Sequence, residues 1–299
     1  MNSNREYCST FNFDSSETVA YNNPLFPAYV RYGILSAYPD YSAVSHWHKD
    51  LEFILIKKGN MTYNVNGKLI GLSEGRGIMI NSRQLHYGFS PEHKECEFIC
   101  ILFSPELLSG NEWFYQNYME SVTENTLYPY LYLGEEEWSR FIIEKLDKLY
   151  SFVTVQSEQE LLYFELIETF LSIMKILYKN LDVKSHDMTK ASNELTILKN
   201  MITYIEGHFA QRITLEDIAL SGACCKSRCS LLFKKHLHET PMTYIAKLRL
   251  QKSLAALLNT DKNITEISYE YGFCGASYYC EMFQKYYGIS PLKYRKAQT

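Results

Sequence analysis

The last hundred residues of this 299-residue chain contain one pattern twice, about fifty positions apart. Three pairs of identical residues are separated by 50 positions: Phe233 and Phe283, Pro241 and Pro291, and Tyr244 and Tyr294. An internal repeat of this length predicts one structural unit that is used twice. Each copy reads as a helix, a turn of small residues and a second helix, the layout that places a helix in the DNA major groove.

Charge is distributed unequally between the two parts of the chain. Residues 193–299 hold 14 Lys and Arg against 9 Asp and Glu, a net charge of +5, whereas residues 1–192 carry −9. A basic part attached to an acidic part is expected when only one end of a protein meets phosphate. A solvated basic face is the alternative that this charge alone leaves open.

Composition and length favour a cytoplasmic protein of two domains. A chain of 299 residues can form two cores. It has no apolar run of 18 residues, so we expect no membrane span, and residues 1–7 lack the apolar core of a signal peptide. The eight cysteines show no disulfide framework, which fits a reducing compartment.

One group of cysteines and histidines has to be weighed as a zinc site. Cys224, Cys225 and Cys229 precede His236 and His238. No C-x-x-C pair occurs there, and Cys229 and Phe233 fall at the spacing of a helix core. We therefore favour small buried cysteines over zinc.

The N-terminal part predicts strands. Short apolar or alternating runs occur at 28–35, 51–56, 61–65, 77–81 and 96–103. The pair Asn66-Gly67 between two such runs is a strong hairpin signal. Many short strands at this spacing predict a sandwich or barrel, so the fold class is α+β with a β-barrel domain over residues 1–134.

Two amphipathic stretches follow, from Glu135 to about Val153 and from Glu158 to about Leu181. An apolar stripe recurs at helical steps in the second: Leu161, Leu162, Leu166, Phe170, Ile173, Ile176 and Leu177. We predict that residues 135–181 pack on the barrel and supply a homodimer interface, with an intrachain core as the alternative. The polar residues 182–192 are predicted to be a linker.

The two repeats predict helix-turn-helix units at about 214–236 and 264–286 within a domain of residues 193–299. Thr214 is a plausible N-cap with Asp217 three residues on. Cys229, Leu232 and Phe233 are predicted to face inward. The side chains predicted to contact double-stranded DNA are Lys226, Ser227, Arg228, Ser230, Leu231, Lys234, Ala276, Ser277, Glu281 and Lys285.

Residues 195–297 resemble the AraC/XylS family of transcription regulators. The resemblance rests on motifs at the family's spacings: Ile267-Ser268, Gly272-Phe273, Ser277-Tyr278-Tyr279, Phe283, Gly288-Ile289-Ser290-Pro291 and Tyr294-Arg295. It implies seven helices, with two recognition helices entering adjacent major-groove segments about 34 Å apart. The chain departs from the family where Ala223 replaces glycine, Leu231 and Glu281 replace arginine, and Gln284 replaces lysine. With fewer Lys and Arg side chains, the protein releases fewer counterions from the DNA, and this contribution to binding is smaller.

The run His46-Trp47-His48, followed by Glu52 and Gly59, resembles the first motif of the cupin barrel. On a strand His46, His48 and Glu52 share a face because the side-chain period is two. His86 comes later than the second cupin motif would place it, and Asp40 replaces an expected glycine. In metal-binding cupins the corresponding residues are ligands that would suit Zn, Fe, Mn or Ni.

Three interpretations of this histidine pattern remain open. The one we favour is a pocket for an organic effector, formed by His46, His48, Glu52 and His86 together with Trp47 and Tyr32. A metal site made of the four residues and a set of hydrogen-bonded structural histidines are the others. No cofactor is expected under the favoured interpretation.

The sequence as a whole predicts a ligand-responsive transcription regulator and no enzyme. The resemblance implies an activator of nearby metabolic genes, carbohydrate use among them, with a small-molecule effector, RNA polymerase and a second copy of the chain as partners. Effector binding would act through unequal affinity for two states of the protein. The alternative from another class is a metal-dependent cupin enzyme with an appended DNA-binding domain.

Overall fold

The predicted α+β class with two domains is confirmed by a computed structural model. It describes residues 10–11, 17–19, 21–23, 25–125, 127–154, 160–182 and 193–298. The described residues up to 182 form the sheet domain, and residues 193–298 form the helical domain. No helix within these ranges is both long and apolar enough to cross a membrane.

Nine strands are described, all in the sheet domain. They are β1 Thr10–Phe11, β2 Glu17–Thr18, β3 Ala28–Ile34, β4 Leu51–Val65, β5 Lys68–Ser73, β6 Gly77–Ile80, β7 His86–Phe89, β8 Cys96–Phe103 and β9 Tyr130–Leu133. The α-helices of the sheet domain are α1 Glu112–Phe114, α2 Glu120–Thr123, α3 Glu137–Thr154 and α4 Leu162–Asn180. A π-helical turn, Tyr115–Met119, joins α1 to α2, and short 3-10 turns occupy Leu35–Ala37, Pro39–Tyr41 and Pro105–Leu108.

The helical domain contains α5 to α11. These are α5 Asn193–His208, α6 Leu215–Ser221, α7 Lys226–Leu237, α8 Pro241–Asn259, α9 Ile264–Glu270, α10 Ala276–Tyr287 and α11 Pro291–Gln298. We call α6 and α7 the first unit and α9 and α10 the second unit. Apart from Asp182, the predicted linker lies outside the described residues.

The long strand β4 connects two parts of the sheet. Its first half lies in an antiparallel sheet of order β3-β8-β4-β6-β9, and its second half pairs with β5 and β7. The bend lies at Gly59, whose φ is +81° and whose added Cβ would lie 2.6 Å from the carbonyl oxygen of Glu95. Only glycine fits this corner, because both the dihedral angle and the close approach exclude a side chain.

The hairpin between β4 and β5 is confirmed at Asn66-Gly67. Val65 pairs with Lys68, and the two loop residues have φ angles of +54° and +93°. Positive φ at both central positions is what a type I′ turn requires. The tip of this hairpin lies against the helical domain, because a Cβ added at Gly67 would be 3.1 Å from Nδ1 of His236.

Alternation along β4 separates two cores. Ile54 and Ile56 face the interior between the two parts of the sheet, where Phe98 also packs. Phe53 and Leu55 face the opposite side and pack under α3 and α4. Both faces of the first half of β4 are therefore buried, which explains why its sequence is continuously apolar.

The apolar stripe of α4 is used inside the chain. Leu166, Phe170, Ile173 and Leu177 are buried in the same core as Phe53. The alternative of an intrachain core is therefore correct for this stripe, because the outer face of the sheet needs a cover. A second apolar stripe on α4 stays exposed among the described residues: Phe164, Ile167 and Leu171.

Helix α8 is shared by the two units of the helical domain. Its N-terminal part places Tyr244 and Leu248 in the core of the first unit, and its C-terminal part places Leu250 and Leu257 in the core of the second unit. The predicted capping box at Thr214 is confirmed: its hydroxyl accepts from the amide of Asp217, and the carboxylate of Asp217 accepts from the amide of Thr214.

Candidate functional sites: a DNA-contact surface and a histidine–glutamate cluster

Helix α7 presents the predicted contact residues to solvent. Ser227, Arg228 and Lys234 are exposed, and Leu231 is 62% exposed. Ser230 is half-buried, and Lys226 is paired with Glu216 at 2.7 Å between Nζ and Oε2. The residues predicted to face inward, Cys229, Leu232 and Phe233, are all buried. This division leaves one polar face of α7 open to a ligand as large as DNA.

Helix α10 has the same division. Ser277, Glu281, Gln284 and Lys285 are exposed and Ala276 is half-buried, while Tyr279 and Phe283 are buried. Lys285 lies beside the ring of Tyr286, with 5.2 Å from Nζ to the ring centroid. The carboxylate of Glu281 makes this face less basic than the corresponding face of α7.

The turns inside the two units have different residues at the left-handed position. Ala223 adopts φ +49° in the first unit, and Gly272 adopts φ +79° in the second. Ala223 thus occupies the left-handed conformation that costs an L residue about 1–2 kcal/mol. Gly222 has φ −89°, and its role is contact: an added Cβ would lie 2.6 Å from Cγ of Met201.

In the sheet domain, four predicted residues meet in one cluster. The candidate ligand atoms of His46, His48, Glu52 and His86 all lie within 4.8 Å of one another. His48, Glu52 and His86 are buried and His46 is half-buried. The residues come together because His46 pairs with His86 in an isolated β-bridge, while Glu52 lies at the start of β4. We call these four residues the histidine–glutamate cluster.

Hydrogen bonds fix the orientation of all three imidazoles. Each Nδ1 lies near a backbone carbonyl: 2.9 Å for His46 and Val44, 3.1 Å for His48 and Asp50, and 2.7 Å for His86 and Gln84. A carbonyl oxygen can only accept, so each Nδ1 carries a hydrogen and donates it. The Nε2 atoms of His48 and His86 each lie 3.0 Å from the same oxygen of Glu52, Oε2.

The carboxylate of Glu52 is the charged centre of the cluster. Burial alone would raise its pKa, but the imidazoles of His86 and His48 hold the pKa of Glu52 well below its usual range. Burial lowers the pKa of His48, whereas its contact with Glu52 raises it, and the net direction is upward. The hydroxyl of Tyr63 donates to Oε1 of Glu52 at 2.5 Å. Glu52 is thus held ionised by a complete set of donors.

Two side chains that were predicted to line the same pocket lie elsewhere. Trp47 points away from its neighbours His46 and His48 and packs against Lys199 of α5, with 4.9 Å between Nζ and the ring centroid. Tyr32 donates to Glu97 and packs near Tyr150 under α3. The structure therefore places both side chains in other contacts, since neighbouring side chains on extended backbone alternate between two faces.

The residue that sequence reasoning missed is Tyr63 as the partner of Glu52. Its place eleven positions after Glu52 on one strand gives no local signal, because the bend at Gly59 brings the two together.

The sheet domain holds the C-terminal end of α7. The amide Nδ2 of Asn64 donates to the carbonyl of His236 at 3.0 Å, and the hydroxyl of Tyr87 donates to the carbonyl of Leu237 at 2.8 Å. On α8, the hydroxyl of Tyr244 donates to the carbonyl of Ser45 at 2.9 Å. These contacts are polar and buried, so the two domains are docked in one defined arrangement.

The cysteines near α7 do not form a metal cluster with the histidines. Cys229 is buried in the core of the first unit, Cys224 is half-buried and Cys225 is exposed. Among the described residues, the histidine–glutamate cluster is the one group of three or more metal-binding side chains. The burial of Cys229 agrees with the interpretation of this residue as a small buried cysteine of the core.

The fold and the exposed recognition helices define a class of protein: a two-domain transcription regulator that binds DNA through paired helix-turn-helix units. Residues 29–126 match the family model of the AraC-like ligand binding domain, and residues 223–297 match the model of a helix-turn-helix domain. These two models cover the cluster, helix α7 of the first unit and the whole second unit.

Relatives identify the family. The chain is 33% identical over 258 residues to the uncharacterized HTH-type transcriptional regulator YdeC of Bacillus subtilis (strain 168). The aligned region covers 85% of this chain and 86% of that protein. It therefore belongs to the AraC family of transcription regulators. The HTH-type transcriptional activator RhaS of Mannheimia succiniciproducens is 24% identical over 84% of this chain and 88% of that protein.

Two further likenesses cover almost the whole chain. The melibiose operon regulatory protein of Escherichia coli (strain K12) is 23% identical over 99% of this chain and 96% of its own length. Among solved structures, apo ToxT of Vibrio cholerae is similar at a TM-score of 0.50 and 15% identity, covering 93% of this chain and 100% of that one. The structural likeness concerns the fold alone. YdeC, RhaS and the melibiose operon regulatory protein are named as regulators, and none gives support to the alternative of a cupin enzyme.

Proposed function

We propose that this regulator activates neighbouring metabolic genes, carbohydrate-use genes among them, in response to an effector bound by the sheet domain. The observation that carries the proposal is the pair of exposed recognition faces, on α7 and α10, joined by the single helix α8. The names of two relatives, a transcriptional activator and a melibiose operon regulatory protein, support activation and sugar metabolism. RNA polymerase is then a partner, and the compartment is the cytoplasm.

The direct contacts between the two domains support a route for the effector signal. The histidine–glutamate cluster lies in the sheet domain, and Asn64 and Tyr87 of that domain hold the end of α7. An effector that binds the docked and undocked states with different affinity shifts the balance between them. The fraction of molecules in which the sheet domain holds the first unit then changes with effector concentration.

A homodimer is the assembly that fits these parts. Phe164, Ile167 and Leu171 are spaced three and four residues apart on α4 and remain exposed among the described residues. A stripe at this spacing can pair with its copy on a second chain. Sedimentation velocity should give a dimer for the protein and a monomer for the variant Ile167→Glu. The matched control Glu168→Gln, on the same turn, should remain a dimer.

The function is tested by a fluorescence anisotropy titration of the full-length protein. The probes are DNA from upstream of its own gene and of neighbouring operons, with scrambled DNA as the control, at two salt concentrations. Sequence-selective binding that weakens with salt supports the regulator. Transcription in vitro with RNA polymerase then distinguishes activation from repression. Binding that is equal for all DNA would contradict the proposal.

A further inference from the structure

We propose that the histidine–glutamate cluster binds one divalent transition-metal ion, and that this ion controls how the first unit is docked on the sheet domain. The inference rests on the proposed function and names the chemistry of one effector. The same short segments of chain carry the metal donors on one face and the contacts with the helical domain on the other.

The donors are arranged for metal binding. The Nδ1 atoms of His46, His48 and His86 each donate to a backbone carbonyl. Hydrogen bonds of this kind fix the tautomer that leaves Nε2 as the ligand atom, and they are the usual outer partners of metal-bound histidines. The Nε2 atoms of His48 and His86 face one oxygen of Glu52 at 3.0 Å. Two imidazole nitrogens thus converge on one carboxylate oxygen, and a metal ion at this point would replace the protons that the imidazoles share with Glu52.

The spacing selects an ion over an organic molecule. The centroids of the three imidazole rings are 4.4, 5.0 and 5.7 Å apart, which is close to ring contact. No sugar ring fits between side chains at this separation. A metal with ligand distances of about 2.0–2.2 Å places its ligand atoms about 3–4 Å apart, so the 4.8 Å cluster needs to contract only slightly.

The donor set identifies the class of metal. Three imidazoles and one carboxylate suit Zn²⁺, Fe²⁺, Co²⁺, Ni²⁺ or Mn²⁺. Mg²⁺ and Ca²⁺ prefer sites made of oxygen atoms and are expected to bind poorly. His46 is the ligand that is half-buried and the other three are buried, so His46 is the ligand most open to solvent.

The opposite faces of the ligand segments touch the helical domain. Trp47, between the ligands His46 and His48, packs on Lys199. The carbonyl of Ser45, which directly precedes His46, accepts from Tyr244. Next to the ligand His86, Tyr87 donates to the carbonyl of Leu237 at the end of α7. The ligands and the residues that contact the helical domain are therefore direct neighbours in the chain.

This geometry couples the ion to the first unit. Contraction of the cluster draws the segment around Trp47 and the strand β7 toward each other, and the outer side chains of both move with them. Packed interfaces respond to small shifts by changing between discrete arrangements. By linkage, an ion that changes DNA affinity has its own affinity changed by DNA to the same extent.

Metal binding is tested with Co²⁺ added to the full-length protein after dialysis against a chelator. We expect visible absorption bands that saturate at one equivalent and are displaced by Zn²⁺ but not by Mg²⁺. Glu52→Gln should weaken Co²⁺ binding by at least about 100-fold, and the half-buried His46→Asn serves as a second ligand variant in case the first does not fold. Absence of a one-equivalent site, or equal binding by a folded ligand variant, would overturn the proposal.

Coupling is tested with Tyr87→Phe, which keeps all four ligands and removes one docking contact. We expect the variant to bind Co²⁺ as the unaltered protein does, and Zn²⁺ to change the DNA affinity of the unaltered protein several-fold more than that of the variant. No effect of Zn²⁺ on the DNA affinity of the unaltered protein would overturn the coupling.

The two hypotheses fail separately. Selective DNA binding without a metal site contradicts only the metal inference. A one-equivalent metal site in a protein that binds all DNA equally contradicts the proposed function.

Discussion

The two helix-turn-helix units share one pattern but differ in how the chain completes them. The second unit has glycine at both left-handed positions, Gly272 in its turn and Gly288 after α10. The first unit has Ala223 and His238 at the corresponding positions, with φ angles of +49° and +57°. The sheet domain instead holds the end of the first unit through Asn64 and Tyr87. A repeated unit can thus do without glycine at its left-handed positions when contacts from another domain stabilise it.

The largest expected effect comes from the glycines of the two turns. Gly272→Ala should lower the free energy of unfolding by about 3 kcal/mol, because φ is +79° and the new Cβ would lie 2.5 Å from the rigid carbonyl oxygen of Phe209. Gly222→Ala should lower it by only about 1 kcal/mol, because Met201 is flexible. Urea denaturation measures both, and equal losses would contradict this difference between the turns.

The next effect concerns two tyrosine hydroxyl groups, one at the C-terminal end of α7 and one at the C-terminal end of α10. Tyr87→Phe should lower the free energy of unfolding by about 1–2 kcal/mol, because the carbonyl of Leu237 loses its buried donor. The control is Tyr287→Phe on α10, whose buried hydroxyl has no partner in the part of the chain that the structure describes. That change should leave stability equal or raise it. Hydrogen exchange at the end of α7 should accelerate only in Tyr87→Phe.

A smaller effect is expected from giving the first unit the glycines of the second. Ala223→Gly and His238→Gly should each raise the free energy of unfolding by about 0.5–1 kcal/mol, since relief of the left-handed strain exceeds the added chain entropy. Gly288→Ala should act in the opposite direction. Thermal unfolding at a fixed pH measures all three. A loss of stability in Ala223→Gly would show that the strain is absent.

The smallest effect concerns single charges on the recognition helices. Arg228→Ala and Lys234→Ala should each reduce the salt dependence of DNA binding by up to about one unit of slope, if they meet phosphate. Lys285→Ala tests the second unit in the same way, and Glu281→Gln should strengthen binding by removing a negative charge. Anisotropy at several salt concentrations gives the slopes. Unchanged slopes for Arg228 and Lys234 would move the contact surface elsewhere.

The sequence predicted those features that depend on local patterns. The turn at Asn66-Gly67, the cap at Thr214 and the inward face of α7 follow from spacing and from the chemistry of single residues. The H-x-H spacing of His46 and His48 was also sufficient to place them on one face. These features need no knowledge of distant parts of the chain.

The features that were missed depend on distant packing. Tyr63 reaches Glu52 only because β4 bends at Gly59, and Tyr87 reaches Leu237 only because the domains are docked. Trp47 and Tyr32 were placed at the cluster by closeness in sequence, which ignores the two faces of a strand. The stripe on α4 predicted an apolar partner correctly, but an amphipathic pattern cannot distinguish a partner in the same chain from one in another.

Helix α8 places Tyr244 in one core and Leu257 in the other, so the distance between the recognition helices is a fixed property of the protein. The DNA has to supply the matching distance. Each inserted base pair rotates one half of an operator relative to the other by about 34°, since one turn takes about 10.5 base pairs. Single bases of such an operator can therefore be substituted one at a time. An inserted or deleted base pair between its two halves, in contrast, turns one half away from its recognition helix.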